Sequence, residues 1–311
     1  NTDQVLNVQL SNTTGATSAL LNAGKFTNKG LEFDLKLTPL VKLGEAEIDF
    51  KINYANQDSK ITGLIDGVNE LGIGNYNYAV VGSPAFVFKT NDYYRDSATG
   101  KVIVDPITGM PSQNPNLTQF GRTLPKHILG LNLSIKWKGF TLGAVAEYRS
   151  GNQIIADQLG NFLDDNGISA RSGSYGRRAF VFPNSVYLDN GKYVNNTNIY
   201  TQNYGRLFYN NDINTDVTSN YLADGSFWKL RELTLIYDFP ASIFKGKGIK
   251  GASIGFTGRN LFMWLPKSNQ WTDPEFTANG NNSYTGNAVG LSTAFNQPPT
   301  RFMGANVTLN F

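Results

Sequence analysis

The sequence predicts an all-β fold, an antiparallel transmembrane β-barrel. Three observations lead to this prediction: a C-terminal segment of alternating polarity, a regular alternation of short and long connections, and a composition suited to strands. The 311 residues include 32 glycines, 20 phenylalanines and 15 tyrosines, and 40% are hydrophobic. Aromatic residues favour strands, whereas glycines and asparagines scattered along the chain disfavour long helices. The composition therefore fits strands joined by turns and loops.

The last nine residues alternate in polarity. From Met303 to Phe311 every second residue is apolar, and the residues between them are glycine, asparagine or threonine. This period of two is typical of a strand with one apolar face. In an outer-membrane barrel, that face contacts lipid and the small, polar face looks into the lumen. We expect Phe311 to lie in the aromatic girdle and to serve as the C-terminal signal for the barrel-assembly machinery.

About eight segments of the chain are predicted as strands. They are Val5–Leu10, Leu31–Leu37, Ala46–Tyr54, His127–Trp137, Phe140–Arg149, Phe227–Phe239, Ala252–Phe262 and Met303–Phe311. Residues 11–23 are small and polar, and are predicted as a loop. A tight turn is predicted at Lys138-Gly139. Residues 85–104 could form a further hairpin, and the sequence leaves open whether that hairpin belongs to the barrel wall.

The connections between these strands alternate in length. They are short after the strands that end at Leu37, Trp137 and Phe239. They run to tens of residues after Tyr54, Arg149 and Phe262. Connections in compact domains are usually about 4 to 6 residues long, so such loops count against most soluble folds. Short turns at one end and long loops at the other are typical of outer-membrane barrels.

Charged residues lie on one face of the second and third predicted strands. They are Glu32, Asp34, Lys36, Glu47, Asp49 and Lys51. The residues between them are mostly apolar, so that each strand has one charged and one apolar face. In a soluble protein the charges would face bulk water. In a wide barrel they would line an aqueous lumen.

Several function classes lose support. The sequence has no cysteine and one histidine, His127, so disulfides, thiolate sites, histidine-rich metal sites and a serine–histidine triad are not expected. With 27 basic and 24 acidic residues, the net charge of +3 implies no nucleic-acid partner. We predict no enzymatic activity, no cofactor and no metal. No apolar run is long enough for a transmembrane helix, and residues 1–10 lack signal-peptide features, so we expect a processed chain or a fragment.

Aromatic residues in the long polar segments are candidate substrate contacts. They are Tyr76, Tyr78, Tyr93, Tyr94, Tyr175, Tyr200, Tyr204, Tyr209 and Trp271. Rings exposed in a cleft can stack on sugars or pack against peptide side chains. The alternative is that the loops pack on one another and use these rings as their core.

Four phrases of the sequence together carry a family resemblance. They are N-A-G-K-F-T-N-K-G-L-E from Asn22, G-R-T-L-P-K-H-I-L-G-L from Gly121, D-G-S-F-W-K-L-R-E-L-T-L-I-Y-D-F-P from Asp224, and G-R-N-L-F-M-W from Gly258 followed by D-P-E at Asp273. In this order and spacing they are similar to the C-terminal barrel of SusC/RagA-type TonB-dependent outer-membrane transporters of Bacteroidetes. The D-x-N-x-D-G phrase often found in that family is replaced here by D-P-I-T-G at Asp105.

The resemblance implies a 22-stranded barrel closed by an N-terminal plug. It also implies a SusD-like surface lipoprotein as a lid, energy from TonB–ExbB–ExbD, and glycans or peptides as substrates. Residues 1–311 would form the C-terminal part of the barrel, with the plug outside this sequence. The charged face would then contact the plug. Two alternatives stay open: a complete eight-stranded structural or adhesin barrel, and a secreted soluble β-protein that binds glycans.

Overall fold

A computed structural model describes most of the chain. The described residues are 4–9, 13, 15, 18–65, 67–210, 212–246, 248–275, 290–292 and 299–311. Its largest element is an eight-stranded antiparallel sheet, the wall, in which each strand pairs with the next one along the chain. The strands are β1 (Gln4–Gln9), β2 (Ser18–Leu43), β3 (Ala46–Leu64), β4 (His127–Trp137), β5 (Phe140–Ser150), β6 (Phe227–Asp238), β7 (Gly251–Trp264) and β8 (Phe302–Asn310). The predicted all-β antiparallel fold is confirmed.

The wall strands extend further than the polarity pattern indicates. The prediction of a loop over residues 11–23 is wrong for 18–23, which belong to β2 and pair with β1. Likewise β3 continues to Leu64, ten residues past the predicted end at Tyr54. The reason is backbone pairing: residues 24–31 of β2 bond to residues 56–64 of β3, with a register shift at Lys25. In a barrel wall, the partner strand sets the strand length, because unpaired peptide groups are costly.

The turns at one end of the wall are short. The predicted turn at Lys138-Gly139 is confirmed, since Trp137 pairs directly with Phe140. Both turn residues have positive φ, at 48° and 82°, as a two-residue hairpin of the primed type requires. A Cβ on Gly139 would lie 2.8 Å from the carbonyl oxygen of Asp238 on the neighbouring strand. Glycine is therefore required at this position.

The wall has two chemically different faces. Six apolar side chains from consecutive strands share one row: Leu35, Ile52, Leu131, Ala146, Leu230 and Phe262. The row beside it, on the opposite face, contains Asp34, Asn53, Gly130, Glu147 and Lys229. In the part of the chain that the structure describes, nothing covers the apolar face, where Leu31 is 64% and Val307 is 67% exposed. Apolar surface of this extent marks a contact with protein or membrane, which is what the barrel prediction requires.

Aromatic rings border the apolar face at both ends. Those at the turn end include Trp137, Phe140, Tyr237 and Phe239, and those at the loop end include Tyr148, Trp228, Phe262 and Trp264. On β5 the two belts are about 27 Å apart along the strand, at ~3.4 Å per residue. With the usual strand tilt, this spacing suits the apolar band of a barrel, about 25 Å tall. Phe311 lies at the turn end, where Lys250 Nζ donates to its carbonyl oxygen at 2.8 Å.

The three long connections leave the wall at the other end and form a cap. Its strands are Glu70–Gly74, Asn77–Val80, Val87–Tyr93, Val102–Ile103, Gln113–Arg122, Gln153–Ile155, Ser185–Asp189, Lys192–Asn195 and Leu222–Asp224. Its helical segments are Asp157–Asp165, Arg171–Arg177, Arg206–Tyr209, Asp212–Thr215 and Thr218–Tyr221; Ala241–Phe244 is a turn of helix between β6 and β7. Phe88, Ile155 and Leu291, one from each connection, form one buried cluster. The three loops therefore pack as a unit.

The cap also decides the open question about residues 85–104. Val87–Tyr93 pairs with Gln113–Arg122 in a four-stranded sheet of the cap. Val102–Ile103 pairs in parallel with Ser185–Asp189 from the next long connection. This region therefore contributes no hairpin to the wall. Among the described residues, no helix is long and apolar enough to cross a membrane.

Candidate functional site

The predicted lumen charges share one face of β2 and β3, called here the inner face of the wall. Lys51 Nζ lies 3.4 Å from Asp34 Oδ2, and Asn53 also donates to that carboxylate. Lys136, on β4, lies 3.4 Å from Glu47 and 3.8 Å from Asp49. Glu32 and Lys36 continue the same face by alternation, and both are exposed. Ion pairs of this kind that are open to solvent contribute about 0–1 kcal/mol each to stability. The charges on this face therefore add little to the stability of the wall and stay accessible to a binding partner.

A more tightly held group of charges lies on the same face at the loop end. We call it the lumen network, and it consists of Glu147, Arg149, Lys229, Arg231, Asp273 and Glu275. Three acidic and three basic side chains balance one another. Four of them lie on β5 and β6, and two come from the connection between β7 and β8. The network therefore joins a long loop to the inner wall.

Asp273 and Glu275 fold back to meet Lys229. Lys229 Nζ donates to Asp273 Oδ2 and to Glu275 Oε2, both at 2.6 Å. The side chains of Lys229 and Asp273 are only 7% and 6% exposed. The buried ring of Phe227 has its centroid 5.0 Å from Lys229 Nζ, close enough for a cation–π contact. Because the pair is buried, removal of either Lys229 or Asp273 would leave the other charge unpaired away from water, which is strongly destabilising.

Arg231 connects the loop to β5. Its Nε donates to Glu147 Oε2 at 2.8 Å, and its Nη1 donates to Glu275 Oε2 at 2.5 Å. Arg149 reinforces both carboxylates, with Nε donating to Glu147 Oε1 at 2.5 Å and Nη2 lying 3.1 Å from Glu275 Oε1. The planar guanidinium groups, with several donors each, suit this bridging between two carboxylates.

A β-bulge places Arg231 in this position. On β5, Val145 and Ala146 are adjacent, but their partners on β6 are Glu232 and Leu230, so that Arg231 is an extra residue. Bulges re-aim side chains and break the alternation of a strand. Lys229 and Asp273 lie in two of the phrases that carry the family resemblance, but no pattern in the sequence predicts that they meet. The interrupted alternation at 229–232 was the available signal.

The carboxyl of Glu275 stays ionised under acid conditions. Burial by itself would raise its pKa, but hydrogen bonds from Arg231 and Lys229 outweigh burial and lower the pKa from 4.5 to about 2. A carboxyl with a lowered folded pKa stabilises the folded state fully above its unfolded pKa, and this contribution is lost as pH falls toward the folded value. We therefore expect the loop to stay anchored from pH 7 to about 4.5 and to loosen progressively below it.

The measurement is protease cleavage near residues 265–275 across this pH range in the full-length protein. Glu275→Gln should remove most of the pH dependence, because glutamine does not titrate. Asp105→Asn is a control with the same kind of change in a cap turn remote from the network. A loss of protection already between pH 7 and 5 in the unmodified protein would contradict the role given to Glu275.

Five of the predicted loop aromatics have identifiable partners inside the cap. Tyr93 and Tyr209 are 4% and 9% exposed. Burial raises the pKa of Tyr93 to about 12, and its hydroxyl donates to Asn214 Oδ1 at 3.2 Å. Tyr76 donates to Asp157 at 2.7 Å, and the ring of Tyr78 lies 5.4 Å from Lys89 Nζ. The ring of Trp271 lies 4.9 Å from the guanidinium carbon of Arg171.

Arg171 is enclosed by three aromatic rings. Its guanidinium carbon lies 5.4 Å from the ring centroid of Tyr209, 5.0 Å from Tyr221 and 4.9 Å from Trp271. The same guanidinium pairs with Asp164, whose side chain is fully buried, and Nε donates to both carboxylate oxygens at 3.0 Å. Burial alone would lower the pKa of Arg171, but the bonds to Asp164 raise it. Tyr209 and Trp271 therefore help to hold the cap together.

Four predicted aromatics remain on the surface. Tyr94, Tyr175, Tyr200 and Tyr204 are 45%, 52%, 59% and 47% exposed. Tyr175 stacks on Phe180 with ring centroids 4.4 Å apart. Residue 181 bridges to Tyr200 across the same segment, which brings Tyr175 and Tyr200 into one region of the cap. A role for these rings in substrate contact stays a prediction. Among the described residues, no three acidic or histidine side chains form a metal-binding group.

Comparisons with known proteins agree with this geometry. No family model matches the sequence. TonB-dependent receptor P26 of Formosa agariphila is 24% identical over 330 residues, which cover 98% of this chain and 31% of that receptor. The solved structure of the RagAB peptide transporter is similar to this chain, with a TM-score of 0.67 and 19% identity. The match covers 100% of this chain and 32% of the transporter chain. The predicted resemblance to SusC/RagA-type TonB-dependent transporters is confirmed.

Other states of that transporter fit this SusC/RagA-like chain similarly. The RagAB peptide importer gives a TM-score of 0.66 in its closed-closed state and 0.64 in its open-open state, at 19% and 20% identity. The chain thus spans about a third of the length of the proteins it matches. These relatives are a receptor and transporters rather than enzymes, which agrees with the prediction of no enzymatic activity.

Proposed function

We propose that this chain is the C-terminal barrel portion of an energy-coupled outer-membrane importer of glycans or peptides. The observation that carries the proposal is the wall itself. Its eight strands follow one another without crossover, with one face apolar and the other charged. Such a sheet satisfies its peptide groups in lipid only as part of a closed barrel. The similarity to RagAB over the full chain, which corresponds to 32% of that protein, supports the proposal that the wall is part of a larger barrel.

The partners follow from the resemblance. A SusD-like surface lipoprotein would cover the cap, and TonB–ExbB–ExbD would act through the plug. Outer-membrane lipid would surround the apolar face, and the barrel-assembly machinery would recognise Phe311. The arrangement of the loops supports the lid contact, because all three long connections lie at one end and pack together. The exposed Tyr175, Tyr200 and Tyr204 lie in this cap.

The two alternatives fit the structure less well. A complete eight-stranded barrel would pair β1 with β8, whereas among the described residues these strands are the two edges of the sheet. A soluble glycan-binding protein would have to cover the apolar face that Leu31 and Val307 expose. Neither alternative accounts for the two aromatic belts as directly as a membrane wall does.

The test of the proposed function has two steps. The intact protein is run from purified outer membranes with and without heating, where a heat-modifiable band near three times 34.2 kDa is expected. A strain lacking the gene should then lose uptake of labelled peptides or oligosaccharides, and dissipating the proton gradient should stop uptake in the parent strain. A heat-modifiable band near 34 kDa would support the small barrel instead, and a soluble protein would end the membrane proposal.

Neutralising the charges on β2 and β3 should affect the plug rather than the wall. For Asp34→Asn combined with Lys51→Gln, we expect unchanged heat resistance of the barrel, because exposed ion pairs contribute only about 0.2–1 kcal/mol. Plug segments should become more accessible to protease. Asp189→Asn in the cap is the control. Loss of the heat-resistant form in the double variant would show that these charges serve the wall and not the plug.

A further inference from the structure

A cavity of about 350 Å³ lies between the wall and the cap. One side is formed by the ends of β2 and β3 that extend past β4, at Gly24–Asn28 and Gln57–Ile61. The other side is formed by the four-stranded cap sheet and the segment Pro84–Phe86. Asn28 shares the face of Glu32 by alternation. The cavity therefore lies at the loop end of the wall, on the face of β2 that carries the predicted lumen charges.

The lining of the cavity is mostly apolar. Ile61, Ile73, Ala79 and Ala85 are 5%, 2%, 1% and 7% exposed and form one cluster. The partly buried ring of Phe86 packs against this cluster. Two of the four buried residues, Ala79 and Ala85, are alanines, and a longer side chain at either position would fill part of the cavity. The cavity volume is at the lower end of the range for ligand pockets, about 300–1,000 Å³.

The lining also contains polar side chains, and three of them have partners within the protein. Arg122 pairs with Asp58 and donates through Nη1 to the carbonyl oxygen of Gln57 at 3.2 Å. The Gln57 side chain donates to the carbonyl oxygen of Pro125 at 3.2 Å. Ser59 Oγ accepts from the amide of Ala85 at 3.1 Å. Because these polar groups already have partners in the protein, a sugar hydroxyl inside the cavity would lose its hydrogen bonds to water without replacement.

We infer that this cavity is a subsite for an apolar side chain of an imported peptide. The inference rests on the proposed importer function and narrows its substrate class from glycans or peptides to peptides with a large apolar residue. The cavity volume admits such a side chain, and the mostly apolar lining favours it over a sugar. Asn28 of the lining lies on the same face of β2 as the predicted lumen charge Glu32, which is the face that an imported substrate would meet in the proposed importer.

The test uses the full-length transporter and two peptide series equal in length and charge. One series carries leucine or phenylalanine at a single position, and the other carries serine there. The unmodified protein should bind the apolar series more tightly. Ala85→Leu fills the cavity and should reduce this preference at least about tenfold, the scale on which apolar pockets discriminate side chains. Ala98→Leu, the same change in an exposed cap turn, should leave the preference unchanged.

A second variant tests the subsite independently of whether Ala85→Leu folds. Ile73→Ala enlarges the cavity and should shift the preference from leucine toward tryptophan, with protease resistance of the cap as the folding check. Peptide import with the same preference in all variants would overturn the subsite and leave the importer intact. Binding of oligosaccharides alone would also overturn it. Loss of the leucine preference in Ala98→Leu would overturn the subsite as well, because the effect would then belong to the cap in general. Absence of any energy-dependent uptake would overturn the importer function itself.

Discussion

Replacing Lys229 with methionine is expected to detach the loop between β7 and β8 from the inner wall. The change keeps the length of the side chain and removes a charge whose nitrogen lies 2.6 Å from both Asp273 and Glu275. Asp273, whose side chain is 6% exposed, would lose the only cation that contacts it among the described residues. Leaving one partner of a buried pair without the other costs about 3–5 kcal/mol.

The measurement is hydrogen exchange over residues 265–275 in the full-length protein, together with the temperature at which the barrel loses its folded gel mobility. Lys42→Met is the matched control, because Lys42 lies 3.8 Å from Glu47 with 67% of its side chain exposed. It should change stability by less than about 1 kcal/mol. Unchanged exchange in Lys229→Met would mean that the loop is held by contacts other than the lumen network. The double variant with Asp273→Leu should recover part of the loss, because the unpaired carboxylate is then absent.

Replacing Arg171 with methionine is expected to open the cap. Methionine can fill the space between the rings of Tyr209, Tyr221 and Trp271, but it cannot bond the fully buried carboxylate of Asp164. The expected loss is again about 3–5 kcal/mol for a buried charge left unpaired. Arg171→Lys should recover only part of it, since an ammonium group lacks the planar fork that bonds both oxygens.

Protease cleavage between residues 157 and 177 reports the opening of the cap. Arg178→Met is the control, since Arg178 is exposed on the same segment. We expect the heat resistance of the wall to persist in Arg171→Met, because among the described residues the guanidinium contacts cap residues and none of the wall strands. If Arg171→Met loses both the heat resistance of the wall and the protease resistance of the cap, the two parts fold as one unit and the cap is required for wall assembly.

Local patterns were sufficient for the central hairpins of the wall. The strands on either side of Lys138-Gly139 alternate in polarity, and the turn between them has only two residues. Period-two alternation and turn chemistry are both properties of neighbouring residues, so the sequence predicts them directly. The charged face of β2 and β3 followed from the same alternation. The orientation of this face toward a lumen stays a prediction, which rests on the long loops and the resemblance.

Composition does not distinguish the buried aromatic residues of the cap from the exposed ones. Tyr204 and Tyr209 are five positions apart in the same polar segment, and both were predicted as substrate contacts. Tyr204 is 47% exposed, whereas Tyr209 is 9% exposed and covers Arg171. Only the packing of three separate loops on one another decides which ring is buried. A polar segment with aromatic residues is compatible with either outcome.

The sequence by itself determined the class of fold, the eight wall strands and the family resemblance, because alternation, turns and motifs are short-range features. The tertiary structure decided the length of β2 and β3, since the backbone of a partner strand sets where pairing ends. It also decided the lumen network. Lys229 and Asp273 are 44 residues apart in sequence, and a bulge places Arg231 beside them. Such convergence depends on how the strand bends and where a loop returns, which no local pattern encodes.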